Sequence, residues 1–455
     1  MTLIKSISGI RGTIGGPVGE NFTPIDIVEC TAAFGQWTLD RTGIQRVVVG
    51  RDARISGKMV QELVVQTLIA LGIEVIDLDL STTPTVEMAV TDEKAGAGII
   101  LTASHNPAQW NALKFLNEKG EFISAADGAE VLEYIASRKM DFVSVDDLGT
   151  RINKIDAIEK HITAILSLPL IPVAEIKKRN FKVVLDPVNS TGSLALPPLL
   201  EKLGCNVQLI HGEPTGHFAH NPEPLPRHLE DLSRAVVENQ ADFGISVDPD
   251  VDRLALVCPD GSMFGEEYTL VAAADFILAH TPGATVSNVS SSLALKDVTE
   301  AYHQTYFSAA VGEVNVVTKM KEVNAVIGGE GNGGIIYPDL HYGRDALVGV
   351  AFILALLTER NTDLKSLKET YPPYEMVKDR IDLDGSLDKA QVLQKVRDHF
   401  QNDKLNEVDG IKVEWPDRWV QIRASNTEPI LRVYAEAPNL SAAQSLVDQV
   451  KSILS

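Results

Sequence analysis

Cysteine is scarce in this sequence: Cys30, Cys205 and Cys258 are the three in 455 residues. They are odd in number, far apart and never in a CxxC pair, which excludes a disulfide scaffold and points to buried thiols in a reducing compartment. Long apolar runs are missing too. The N-terminal stretch MTLIKSISGIRG contains no signal-peptide core, and no later segment approaches ~18 uninterrupted apolar residues. The expectation is a cytoplasmic, soluble protein with no membrane partner. Positive charge is in deficit, with 41 basic against 62 acidic residues and a net charge of −21. A nucleic-acid backbone or an anionic lipid surface would be repelled overall. A small phosphate-bearing molecule stays compatible where basic residues gather locally. Hydrophobic content of 44% leaves no sign of a disordered chain.

A chain of this length divides into about three or more domains. Val47-Val48-Val49, a polar loop, an apolar-periodic segment and Leu71-Gly72-Ile73-Glu74-Val75 read as strand, helix, strand. The pattern recurs from Val183-Val184-Leu185 to Leu203-Gly204-Cys205-Asn206-Val207, and more loosely from Val286 to Ser308. Three related α/β units follow. After Tyr371-Pro372-Pro373-Tyr374 the order changes to helix, three strands and helix, a smaller α+β domain. The expected divisions are 1–150, 151–257, 258–370 and 371–455.

Four segments carry chemistry. The apolar strand Gly98 to Leu101 runs into Thr102-Ala103-Ser104-His105-Asn106-Pro107, a small polar loop that presents a serine. No G-x-S-x-G surrounds Ser104, so a hydrolase nucleophile elbow is absent; taken alone, the serine also fits a turn or cap. In Asp248-Pro249-Asp250-Val251-Asp252-Arg253 the alternate carboxylates would repel one another unless a cation joins them. An EF-hand needs glycine and glutamate where Arg253 and Pro259 stand, and the all-oxygen set favours Mg²⁺. The segment Gly328-Gly329-Glu330-Gly331-Asn332-Gly333-Gly334 formally contains G-x-G-x-x-G. A dinucleotide fingerprint must open a helix, yet Ile335-Ile336-Tyr337-Pro338 is strand-like. Glu330 and Asn332 then suit sugar hydroxyls, with a plain glycine turn as the alternative. Finally, Arg423-Ala424-Ser425-Asn426-Thr427-Glu428-Pro429, with Arg432 beyond it, gathers arginine, hydroxyls and turn amides fit for a phosphate dianion, or forms an ordinary hairpin turn.

In this order, together with Ser8-Gly9-Ile10-Arg11-Gly12 and Gly50-Arg51-Asp52-Ala53-Arg54-Ile55-Ser56-Gly57, the segments resemble the α-D-phosphohexomutase superfamily essentially end to end. The resemblance implies an α/β fold of three related domains with mixed sheets plus a smaller C-terminal α+β domain, heart-shaped around a central cleft. It implies an intramolecular phosphotransferase that moves a phosphoryl group between the 6- and 1-oxygens of a hexose, through phosphorylated Ser104 and a hexose 1,6-bisphosphate. Asp248, Asp250 and Asp252 would hold Mg²⁺ with a serine-phosphate oxygen of Ser104. Arg11, Lys114 and Arg253 would sit at the reacting oxygens, and Glu330 and Asn332 at the sugar. Arg423, Ser425, Asn426, Thr427 and Arg432 would hold the other phosphate.

There are departures. Asn332 and Gly334 stand where many relatives have serine and histidine in G-E-x-S-G-H, so an acid/base contributor is missing, and His341 is a nearby substitute in sequence. Asn426 replaces a usual glycine, which asparagine's tolerance of left-handed backbone allows. The glycine-rich loop and Val311-Gly312-Glu313-Val314-Asn315 favour glucosamine phosphate over glucose or mannose phosphate. A haloacid-dehalogenase-type phosphatase and a non-catalytic sugar-phosphate sensor are the alternatives from other classes. The partner is a small sugar phosphate, the state monomer or homodimer, and the small C-terminal domain is expected to act as a mobile clamp.

Overall fold

Continuous valine runs bury on both sides, and the strand Arg46–Arg51 shows how. Val47 and Val49 join one apolar cluster with Val64, Val65 and Leu68 of the helix Gly57–Ala70. Val48 joins another with Val86, Ala89 and Val90 of the helix Thr83–Asp92. In this computed structural model the chain is described over residues 2–6, 9–382, 389–424 and 430–454. It forms two compact units, Met1–Thr269 with Gly333–Lys365, and Leu270–Asn332 with Ser366–Ser455.

The first unit contains two mixed sheets. In the seven-stranded sheet Arg46–Arg51 lies between two parallel neighbours, Glu74–Leu80 and Ala97–Leu101, and the latter pairs antiparallel with Trp110–Leu116. The strand Arg151–Asn153, beyond the division expected at residue 150, pairs with Glu74–Leu80 in this sheet. In the four-stranded sheet Phe243–Val247 runs parallel to Lys182–Asp186 and antiparallel to Leu254–Val257. Both sheets thus contain a buried strand that leaves a parallel neighbour, passes through a loop and returns antiparallel. One loop carries Ser104 and the other carries the three aspartates. Sites outside the carboxyl ends of such strands are the general rule for open α/β sheets.

The second unit holds Tyr306–Ala309, Thr285–Asn288 and Ile327–Glu330 as parallel neighbours, which bears out the third strand–helix–strand copy. It also holds an antiparallel sheet of five strands. The sequence reading found three of these; Glu375–Asp382 and Lys404–Asn406 are additional. The helices Lys389–His399 and Leu440–Leu454 supply Val392, Val396, Val447 and Val450 to the core of this sheet. Buried polar bonds tie the sheet to the rest of its unit: Lys412 Nζ donates to the Val289 carbonyl at 2.8 Å, Ser290 Oγ to Gln421 Oε1 at 2.6 Å, and the Leu293 N–H to Glu436 Oε2 at 2.8 Å. Independent movement of the small domain would break them, at about 1–3 kcal/mol for each group left unsatisfied. The clamp expected from its separate core therefore meets a specific opposing cost.

All three cysteines are free and buried, and burial pushes the Cys30 and Cys205 thiols up to about 12. Among the described residues no helix is long and apolar enough to cross a membrane.

Candidate active site

Ser104 sits in a loop whose backbone is forced into an uncommon shape. Its φ is 48°, in the left-handed region that most side chains avoid. The loop is held from below by Arg54, which is 1% exposed. Its Nη1 donates to the carbonyls of Pro107 (2.8 Å) and Trp110 (3.1 Å), and its Nη2 to those of Asn106 (2.7 Å) and Ser104. Arg54 Nε pairs with Asp52 Oδ2 at 2.9 Å, and the same oxygen accepts from Thr102 Oγ1 at 2.7 Å. Thr102 Oγ1 in turn receives the Ser104 N–H at 2.9 Å. The Gly50-to-Gly57 segment is thus the scaffold of the serine loop, a role that sequence reading did not assign to Asp52 or Arg54.

Ser104 Oγ donates to Asp248 Oδ2 at 2.7 Å, across 144 residues of chain. Asp248, Asp250 and Asp252 are fully buried, and one oxygen of each lies within 4.8 Å of the others. Asp248 Oδ1 accepts the N–H groups of Asp252 (3.2 Å) and Arg253 (3.1 Å). Asp250 Oδ2 accepts from Thr83 Oγ1 at 2.7 Å and Lys114 Nζ at 2.9 Å. Asp252 Oδ2 accepts from Arg344 Nη2 at 2.6 Å. Asp250 Oδ1 and Asp252 Oδ1 are buried without a hydrogen-bond donor among the described residues. Such oxygens are costly unless a cation or donor meets them. Each of these two side chains is fixed through one oxygen and leaves the other for a hard cation, so the donor set fits Mg²⁺.

The electrostatics follow from burial and spacing. Asp248 is pushed well above the ordinary carboxylate range by burial and by the charges of Asp252 and Asp250. Burial would raise Asp250 also, but Lys114 holds it below that range. Lys114 stays protonated because Asp250 and Asp252 outweigh its desolvation. Burial, then the Arg253 charge, pushes His105 down to about 2, leaving a neutral imidazole with Nδ1 3.2 Å from Ser104 Oγ. Arg253 Nε lies 3.9 Å from both Asp248 and Asp252, beyond hydrogen-bond distance, and is buried without an acceptor among the described residues. A donor left over beside the Ser104 hydroxyl is placed for an incoming anion.

Arg11 lies on the strand Gly9–Thr13 opposite Ala112, one pleat from Lys114, so both cations belong to one sheet face. Gly9 permits this pairing: at φ 125° a side chain there would be strained, and its Cβ would stand 2.6 Å from the Leu113 carbonyl. Thr83 and Arg344 are site residues that sequence reading missed; the nearby His341 was chosen instead. His341 is buried, with Nδ1 3.3 Å from Glu87 and Nε2 3.3 Å from Asp345. Burial opposes its charge, but the Asp345 and Glu87 carboxylates beside it push its pKa up to about 10. A group held protonated in this way is a poor proton acceptor near neutrality. Its folded-state pKa lies above the ordinary 6.5, so its stabilisation is complete below pH 6.5 and lost as pH rises through about 10. The Tm difference between wild type and His341→Gln should therefore be largest near pH 6.5 and shrink towards pH 10. A pH-independent difference would contradict this.

In the second unit, Glu330 Oε1 accepts from Asn288 Nδ2 at 3.0 Å and the Gly312 N–H at 3.2 Å, while the Gly331 N–H donates to Ser291 Oγ at 3.1 Å. These bonds shape the glycine-rich turn that bears Asn332. Its exit is the strand Gly334–Ile336, as expected of a turn that opens no dinucleotide helix. In the small sheet Arg423 stands directly opposite Arg432, which stands opposite Arg380. Like charges facing across strands are unfavourable unless an anion joins them, and Arg423 Nε is buried without an acceptor among the described residues. Arg380 had escaped the sequence reading. Ser425, Asn426 and Thr427 lie outside the described residues.

In the first unit, a serine poised on a buried carboxylate, cation-ready oxygens and the spare Arg253 donor make an arrangement suited to metal-assisted phosphoryl transfer. Comparison with known proteins gives this class its family. Residues 3–141, 159–261 and 265–374 match alpha/beta/alpha domains I, II and III of phosphoglucomutase/phosphomannomutase, and residues 382–453 match its C-terminal domain. A phosphoglucomutase/phosphomannomutase from Thermococcus kodakarensis is 34% identical over 96% of this chain and 96% of its own. A probable phosphoglucosamine mutase from Methanopyrus kandleri is 32% identical over 98% and 96%. In fold, the chain resembles a phosphoglucomutase/phosphomannomutase family protein from Burkholderia thailandensis, with a TM-score of 0.87, 24% identity and coverage of 99% and 96%. The chain belongs to the phosphoglucomutase/phosphomannomutase family of the α-D-phosphohexomutase superfamily, and is an intramolecular phosphotransferase.

Proposed function

We propose that the protein interconverts glucosamine 6-phosphate and glucosamine 1-phosphate, with Ser104 as the phosphoryl carrier. The observation that carries the mechanism is the 2.7 Å bond from Ser104 Oγ to Asp248 beside two carboxylate oxygens that lack donors among the described residues. Phosphorylated Ser104 gives its group to a hydroxyl of the sugar phosphate: the P–Oγ bond breaks, a P–O bond to the sugar forms, and the hydroxyl gives up its proton while Oγ gains one. The resulting hexose 1,6-bisphosphate returns its other phosphate to Ser104 by the reverse exchange. Lys114, Arg253 and Arg11 bear on the transferring group. Mg²⁺, held by Asp248, Asp250 and Asp252 with a phosphoserine oxygen, would neutralise charge on the phosphoryl oxygens.

Glu330 and Asn332 read the sugar, and Arg423, Arg432 and the 425–427 loop hold the phosphate that is not being transferred. The preference for glucosamine is supported by the GEGNGG loop, by the Val311-Gly312-Glu313-Val314-Asn315 segment and by the name of the Methanopyrus relative. The name of the Thermococcus relative favours glucose or mannose phosphate as a second reading. A coupled assay of all three 1-phosphates, with Mg²⁺ and with chelator, decides. Highest kcat/KM for glucosamine 1-phosphate and loss of turnover with chelator are expected; preference for another sugar would overturn the substrate assignment alone.

Arg423→Ala should raise KM by roughly 30-fold, the equivalent of about 2 kcal/mol for one charge-assisted contact, and leave Ser104 phosphorylation intact. Steady-state kinetics with intact-mass analysis measures both. An unchanged KM would remove Arg423 from the phosphate site.

A further inference from the structure

In the first unit, outside the groups assigned to phosphoryl transfer, two histidines converge on another buried carboxylate. Asp186 ends the strand Lys182–Asp186 and is fully buried. Its Oδ2 is 3.0 Å from His211 Nδ1 and 3.0 Å from His220 Nε2, and one ligand atom from each of the three residues lies within 4.8 Å of the others. The remaining polar atoms are oriented as well. Asp186 Oδ1 accepts the Val188 N–H at 3.0 Å, His220 Nδ1 faces the Asn221 carbonyl at 2.8 Å, and His211 Nε2 lies 3.8 Å from the Asp231 carboxylate. Backbone carbonyls and carboxylates at the far ring nitrogen are how proteins aim imidazole ligands at a metal.

The backbone around the cluster is held in unfavourable conformations. Val188, Asn189 and His211 have φ of 48°, 53° and 48°. For β-branched Val188 this is a true outlier, and such outliers gather at functional sites. The histidine side chains keep 24% and 14% of their surface, which leaves the cluster a way to solvent.

We propose that Asp186, His211 and His220 form a second metal site, for a transition-metal ion of the zinc class, with water completing the coordination. Two imidazole nitrogens and one carboxylate oxygen suit Zn²⁺ and its neighbours, whereas Mg²⁺ prefers oxygen alone. Without metal, His220 faces an acceptor at each ring nitrogen, the Asp186 carboxylate and the Asn221 carbonyl. Metal binding uses the Nε2 lone pair of His220 and the Nδ1 lone pair of His211, and protons held there pass to solvent. The site has a mechanical consequence. Ser190 and Thr191, in the loop after Asp186, donate their hydroxyls to the Pro249 carbonyl at 2.7 and 2.8 Å, so a bound ion stiffens the segment on which the aspartate loop rests.

The test titrates Co²⁺ into the full-length protein, stripped by chelation and held in excess Mg²⁺ to fill the aspartate site. One equivalent of Co²⁺ with visible d–d absorption should bind, and Zn²⁺ should displace it. His211→Asn and His220→Asn should each weaken binding by at least about 10-fold, while His161→Asn, in the separate His161–His341–Asp345 cluster, should not. In the wild-type protein, where folding of a variant is not in question, Zn²⁺ should protect His211 and His220 but not His217 from diethyl pyrocarbonate, as read by peptide mass spectrometry. The site is refuted by absence of Co²⁺ absorption, by binding that survives both substitutions in folded protein, by loss in His161→Asn instead, or by no protection of His211 and His220.

Discussion

Ser104→Ala should remove mutase turnover by on the order of 10⁶-fold, the scale on which deleting a covalent nucleophile acts. Among the described residues two hydroxyls touch the aspartates, and their surroundings differ. Thr83 uses its N–H on the Asp250 carbonyl and its Oγ1 on Asp250 Oδ2, so it is consumed in holding the loop. Ser104 projects from a left-handed position, with its N–H secured by Thr102 and its Oγ beside Asp248, His105 and the spare Arg253 donor. Intact-mass analysis of the purified protein should find one phosphate, located at Ser104 by peptide sequencing and missing from the alanine variant. Thr83→Val should keep it. Turnover by Ser104→Ala near the wild-type rate, with a hexose bisphosphate supplied, would end the phosphoserine mechanism.

Arg54→Leu should cost about 3–5 kcal/mol of stability, because it strands the fully buried Asp52 carboxylate without its cation. Burial already pushes Asp52 above the ordinary carboxylate range even with Arg54 beside it. The loss should reach catalysis separately, since the guanidinium is the shared donor for four carbonyls of the serine loop and the strand that follows. Replacing both partners, Asp52→Asn with Arg54→Leu, should recover part of the stability by removing the stranded charge, and should recover none of the turnover. Urea unfolding and steady-state rates on the three proteins separate the effects. A double variant as active as wild type would show that the serine loop holds its shape without Arg54.

The aspartate loop was legible because its chemistry is local: alternate carboxylates after an apolar strand repel one another unless a cation joins them. The serine was legible by its place after the strand Ala97–Leu101, the parallel units by their valine runs. Thr83 and Arg344 were not, since they reach Asp250 and Asp252 from 167 and 92 residues away and neither stands in a pattern of its own. The strand Glu375–Asp382 was missed because EMVKDRID is largely polar and half exposed, and three-residue Lys404–Asn406 because it is too short to show a period.

The sequence by itself determined the repeated strand–helix–strand units, the serine loop, the carboxylate trio and the family, because each rests on residues close together along the chain. Only the tertiary structure decided how those groups are charged and held. It showed that Arg54 braces the serine loop, that Lys114, Thr83 and Arg344 each occupy one aspartate oxygen, and that His341 is locked between Glu87 and Asp345 instead of being free to exchange protons. It also brought Asp186, His211 and His220 to one point. Protonation and ligation depend on burial and on partners that arrive from distant segments, and those distances exist only once the chain has folded.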